Sequence, residues 1–121
     1  MAARWMIGLA VLFAGCASDH MPITRSEARI RQVFLQAYPP GMSLEEFRHV
    51  MAKERVRILQ VWSRAGGDSM PVESGLIGDT VLWVDLGMYQ SLTHQVYVSA
   101  FVGFDRGRLA DCAISKSPEP P

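Results

Sequence analysis

The stretch Tyr38-Pro39-Pro40-Gly41-Met42-Ser43-Leu44-Glu45-Glu46 limits the folds open to this chain more than any other. Two successive prolines remove two backbone donors and clash with the preceding turn, so a helix arriving from the N-terminal side has to stop at Tyr38. Gly41 completes the break. Ser43-Leu44-Glu45-Glu46 then reads as a capping box, the Ser43 hydroxyl accepting from the Glu46 N–H while Glu46 reaches back. The chain is thereby committed to two short helices in succession. In the first, Ile30, Val33, Phe34 and Ala37 fall at i, i+3, i+4, i+7, with Thr24 or Ser26 able to cap it. Arg25, Glu27, Arg29 and Arg31 populate its other face. In the second, Leu44, Phe47, Val50 and Met51 form the apolar stripe, and Lys53, Glu54 and Arg55 close it.

The pattern then changes to strands. Residues 56–63 are rich in Val, Ile and Trp. Thr80 to Met88 alternates, with Val81 and Trp83 on one face and Leu82, Val84 and Leu86 on the other. His94 to Phe104 sets Val96, Val98, Ala100, Val102 and Phe104 against Gln95, Tyr97, Ser99 and Phe101. Asp105-Arg106-Gly107-Arg108 reads as a tight hairpin turn with Gly107 at positive φ, and 109–115 as the return strand. Two helices followed by neighbouring strands predict an α+β domain, with the helices packed on a three- to four-stranded antiparallel meander. Ile30, Phe34, Phe47 and Val50 are expected against one sheet face, and the other face is expected to stay wet. The strand aromatics Trp62, Trp83 and Tyr97 are expected in the core, with exposure of the kind found at interfaces as the alternative for Trp83 and Tyr97. The 121 residues carry a formal net charge of zero, 49 % apolar residues and a mean hydropathy of +0.09. Those values exclude wholesale disorder and a strongly basic nucleic-acid binder.

The N-terminal segment reads as an address. One positive charge at Arg4 precedes an uncharged run from Trp5 to Gly15, ended by Cys16, Asp19 and His20. A basic start, a short apolar run and small residues at its end mark a secretory signal peptide. A spanning helix would need about 20 apolar residues. Phe13-Ala14-Gly15-Cys16 resembles the lipobox of bacterial lipoproteins, with Phe13 where Leu is usual. The resemblance implies cleavage after Gly15 and diacylglyceryl transfer to the Cys16 thiol, leaving a membrane lipid as partner. The alternatives for Cys16 are an incidental cysteine or a core residue. An acylated Cys16 has no thiol, which leaves Cys112 unpaired in an apolar strand pattern. Ala17, where enteric lipoproteins retained in the inner membrane carry Asp, suggests the outer membrane. The expected organisation is a signal peptide over 1–15, a tether over 16–23, a domain over 24–115 and a disordered tail over 116–121.

With that lipobox, the helix start at Gly41-Met42-Ser43-Leu44-Glu45-Glu46-Phe47 and the turn Phe104-Asp105-Arg106-Gly107-Arg108-Leu109 make the chain similar to the small outer-membrane lipoproteins of the SmpA/OmlA type. That resemblance implies an αα-ββ(β) sandwich, shared with β-lactamase-inhibitor-protein-like domains. It also implies a role as an accessory of the β-barrel assembly machine.

Catalytic patterns are not apparent. His20, His49 and His94 share no ligand spacing, and no cysteine cluster supports zinc. His49 and Glu45 read as a solvated i, i+4 pair. There is no G-x-S-x-G, and Gly66, Gly67, Gly75 and Gly78 lead into strands rather than into a phosphate-binding helix start. No cofactor is expected. Charge is uneven. Arg25 to Arg64 holds eight basic and four acidic residues, net +4, and residues 65–121 hold three basic and seven acidic, net −4. A basic helical side could face anionic headgroups or wall polymer. Mutual neutralisation of the two layers is the plainer reading. The expectation is a binding module rather than an enzyme, displayed on the periplasmic side of the envelope, with a protein partner and no nucleic acid. An inhibitor-like or small-ligand-binding domain is the alternative. The expected contact surface joins the loop 64–79 to residues 88–93, with Arg64, Met70, Tyr89 and His94 as contact residues.

Overall fold

The computed structural model describes residues 21–71 and 78–121. The signal peptide, Gly15, Cys16 and His20 lie outside the described residues. Helix α1 (Glu27–Ala37) starts at Ser26, whose side chain accepts from the Arg29 N–H. Ser26, not Thr24, is therefore the cap. The helix ends at Tyr38, and the two prolines lead into a turn closed by Met42 N–H on the Pro39 carbonyl at 3.1 Å. Helix α2 (Leu44–Lys53) begins at Ser43, whose hydroxyl accepts from the Glu46 N–H at 3.0 Å.

Four strands follow: β1 (Ile58–Ser63), β2 (Thr80–Gln90), β3 (Gln95–Asp105) and β4 (Arg108–Ser117). They pair antiparallel in the order β1-β2-β3-β4, so the meander has four strands. The segment between the helices joins this sheet. Gly41 N–H donates to the Leu109 carbonyl, Leu109 N–H to the Met42 carbonyl and Leu44 N–H to the Gly107 carbonyl, all within 2.7–2.9 Å. The proline break thus becomes a short extra rung beside the start of β4.

The core lies between the helices and one sheet face. Phe34 and Tyr38 of the first helical segment meet Phe47 of α2, and Phe47 meets Phe104 of β3 edge-on at 5.4 Å. Ile30, Met51, Leu82, Val84, Val98, Val102 and Leu109 fill the space around these rings. Met51 takes the deep position on α2, while Val50 is only half-buried. The Tyr38 hydroxyl donates to Glu54 at 2.7 Å, which satisfies its polar end.

A bulge in β2 changes which side chains face the helices. Asp85 opposes Ser99, but Gly87 opposes Val98, so one extra residue enters at Leu86. Before the bulge, Leu82 and Val84 point to the core. After it, Tyr89 does, and Met88 points away. Gly87 has φ +121, a conformation open to glycine, and its N–H is held by the Asp85 carboxylate at 3.0 Å. Strand β2 therefore runs on through Tyr89 and Gln90, two residues past the alternation that ends at Met88. The β2–β3 connection shrinks to Ser91–His94. At the other end, β4 continues through Lys116 and Ser117, paired with Val98 and Tyr97. Both residues were expected in a disordered tail, and the strand extends over them because β3 offers partners that far.

Candidate functional site

The sheet face turned away from the helices is not simply wet. Residues paired across an antiparallel sheet share a face, so the register places Trp62 beside Val81, and Trp83 beside Phe101. Trp83 and Phe101 stack with ring centroids 5.6 Å apart and planes 4° apart. Trp62 lies 6.4 Å from Trp83 and 6.0 Å from Phe101, completing a three-ring cluster. Val81 and Phe101 are buried within it, separate from the core under the helices. Trp62, Trp83 and Tyr97 remain half-buried, which corrects their expected place in the core. The Trp83 indole N–H donates to the Ser99 hydroxyl at 2.9 Å, so the ring is fixed in orientation.

A groove of about 290 Å³ opens over this cluster. Trp62, Trp83 and Phe101 line its floor with Tyr97 and Ser99, and Pro71 borders it from the β1–β2 connection. Its remaining wall comes from the end of β4, Ser115 and Ser117, and the chain beyond it, Glu119, Pro120 and Pro121. The Ser117 hydroxyl accepts from the Glu119 N–H at 3.1 Å and turns this segment back at the strand end. Residues 118–121, expected as a tail without anchors, run along the groove while remaining solvent-exposed. Flat apolar rings, a few hydroxyls and a proline-rich segment make a surface suited to stacking and shape recognition.

The four residues expected to make contacts do not come together. Arg64 is exposed two residues after Trp62, with its N–H on the Asp79 carbonyl and its guanidinium 3.4 Å from the Gly78 carbonyl. Met70 is half-buried and directly precedes Pro71. Both therefore sit at the Trp62 end of the sheet. Tyr89 and His94 lie at the opposite end, roughly 30 Å along β2 at the usual rise per residue. Tyr89 faces the helix side. Its hydroxyl accepts from Lys116 Nζ at 3.1 Å, with that ammonium 5.2 Å from the ring centre. His94 is exposed in the β2–β3 turn, its Nδ1 2.9 Å from the Thr93 hydroxyl and 3.4 Å from that of Ser91. The two loops are thus opposite ends of one sheet and cannot form a single surface.

The groove itself was within reach of the alternation. Trp83 was placed opposite Leu82 and Val84, and Phe101 opposite the Val96–Phe104 set. Pairing the strands in register would have joined those two rings on one face.

Elsewhere the charged groups serve the fold. Arg31 bridges to Asp111 at 2.5 Å and Arg57 to Asp85 at 3.5 Å, so two members of the basic half meet acids of the sheet. Asp79 ties β2 to the β3–β4 hairpin by accepting from the Arg106 N–H at 3.0 Å. His49 and Glu45 are both exposed on α2. Cys112 is buried, and burial pushes its thiol from an ordinary 9.0 to about 12, with Asp111 adding to the rise and Arg31 opposing it. Such a thiol is a packing group rather than a nucleophile. Among the described residues no three His, Cys, Asp or Glu side chains stand close enough to hold a metal ion. No helix among them is long and apolar enough to cross a membrane. No protein-family model, no curated protein and no solved structure matches this chain.

Proposed function

We propose that this chain is a small lipid-anchored envelope protein, held in the outer membrane through acylated Cys16, that faces the periplasm and binds another protein through the outer face of its sheet. The observation that carries the contact surface is the Trp62–Trp83–Phe101 cluster on the face the helices leave uncovered. An antiparallel sheet with one packed face normally presents polar residues on the other. Large aromatics held there half-buried are the residue type that anchors protein contacts. The lipobox resemblance of Phe13-Ala14-Gly15-Cys16 supports the anchor. The alternative of a small-molecule site is favoured only by the groove, which at about 290 Å³ sits at the lower edge of ligand pockets and is open along its length.

Site-directed photo-crosslinking tests this reading. A crosslinker at Gln60 or Trp62, on the outer face, should give discrete protein adducts in envelopes from the protein's own cells. A crosslinker at Arg48 on α2 should not. Adducts from Arg48 alone would move the contact surface to the helical side.

A further inference from the structure

The outer-face groove is walled on one side by a segment of defined chemistry. Ser117-Pro118-Glu119-Pro120-Pro121 leaves β4, and its last three residues line the groove with Trp62, Trp83, Tyr97 and Phe101. We propose that the groove is a recognition site for proline-rich extended segments, masked in cis by the chain's own Pro118–Pro121. The partner that the outer face binds would present such a segment in trans.

Three observations converge on this ligand. Proline fixes φ near the polyproline value, so beyond the bend at Pro118–Glu119 the Pro120-Pro121 pair is restricted before it docks and loses little entropy on docking. Aromatic-lined grooves are the surfaces that hold such segments, with ring faces packing between prolines. The groove offers aromatic rings from three places across the sheet: Trp62 from β1, Trp83 from β2, and Phe101 with Tyr97 from β3. The register supplies the track. Tyr97 pairs with Ser117 and Ser99 with Ser115, so the serines and Tyr97 lie between the end of β4 and the stacked rings. Three residues in the polyproline conformation, the number that line the groove, would cover roughly 9 Å, somewhat more than the spacing between those two pairs.

The mask is shallow. Residues 118–121 stay exposed, and their hydrogen bond is the local one from the Glu119 N–H to the Ser117 hydroxyl. A competing segment therefore has no buried network to break. If the tail fills the groove nine-tenths of the time, an incoming segment binds about tenfold more weakly than to an empty groove.

This inference rests on the outer face being the contact surface, and its test separates the two. The full chain is compared with a Pro118→Ala, Pro120→Ala, Pro121→Ala variant by tryptophan fluorescence. Trp5 contributes a background common to both. The variant should show a red-shifted emission and about twofold greater acrylamide quenching. A synthetic Ser-Pro-Glu-Pro-Pro peptide blocked at both ends should reverse the change. It should bind the variant about tenfold more tightly than the unaltered chain. The Ser-Ala-Glu-Ala-Ala peptide should do nothing. Adding Trp62→Ala to the variant should abolish peptide binding, and Trp62→Phe should retain it, which separates loss of the ring from loss of fold. Unchanged quenching in the variant overturns the cis mask. Equal binding of both peptides, or binding that survives Trp62→Ala, overturns proline recognition. Dimerisation of the variant in sedimentation, suppressed by Trp62→Ala, overturns it too and makes a second copy the occupant. Outer-face crosslinks that persist while the peptide fails would remove the proline reading and leave the contact surface standing.

Discussion

Arg55 and Arg106 hold φ values of 58° and 52°, a left-handed conformation that side chains other than glycine and asparagine avoid. Arg55 follows α2, where its N–H donates to the Ala52 carbonyl and the Val56 N–H to that of Met51. That pair of bonds is a Schellman motif, with buried Val56 and Met51 as its apolar contact. Glycine is the usual residue at this position. Arg55→Gly is expected to stabilise the domain by about 0.5–1 kcal/mol. A thermal melt should register that as a gain of several degrees, and an unchanged or lower midpoint would count against the motif. Cys112 gives a second test at this scale. Its thiol is raised from 9.0 to about 12 in the folded chain, so folding disfavours the thiolate. The associated stability is complete below pH 9 and is lost as pH rises toward 12. Denaturant midpoints of the unaltered chain should therefore fall more steeply across that window than those of Cys112→Ala. At pH 8 a thiol reagent should modify Cys112 only after unfolding.

At the scale of elements, the local signals were sound and the long-range ones were hidden. Pro39, Pro40 and Ser43 act on their own neighbours, so both helices could be read with their boundaries. Only half of the capping box forms. Ser43 accepts from Glu46, but among the described bonds none runs back from the Glu46 side chain. Ser43→Ala should cost about 1 kcal/mol in chemical denaturation, and Glu46→Ala clearly less. The face on which Tyr89 lies was not legible. Strict alternation from Val81 sends it outward, and the extra residue at Leu86 reverses that. Nothing short of the pairing with β3 reveals the reversal. Gly87→Ala should cost about 2 kcal/mol, since φ +121 strains any other residue. A neutral substitution would show that the bulge can relocate. The groove was half legible. Its rings sit in readable alternations, but the return of Pro118–Pro121 is a contact between distant positions that composition reads only as a tail.

For the molecule as a whole, the described chain enters the domain at one end of the sheet, beside Gly87 and Lys116. Cys16→Ser should abolish acylation and release the protein from membranes. Fractionation with a mass measurement checks this, and a wild-type chain without acyl mass would remove the anchor. The domain is fastened before its first helix begins. Met21 is buried, the Ile23 side chain lies against Gly87, and the Arg25 carbonyl accepts from Lys116 Nζ at 2.5 Å. Helix α1 then runs antiparallel to β4, since Arg25 adjoins Lys116 and Gly41 bonds to Leu109. A leash pulled from its N-terminal side thus loads α1 lengthwise along β4. The Ile30 and Phe34 packing and the Arg31–Asp111 bridge then resist together in shear, rather than parting one at a time. With Met21, Pro22 and Ile23 taken up by the domain, the expected 16–23 tether is shorter by three residues, a loss of roughly 10 Å of reach. An acyl anchor at Cys16, as proposed, would therefore pass its load into α1 and β4 together at this one corner of the domain.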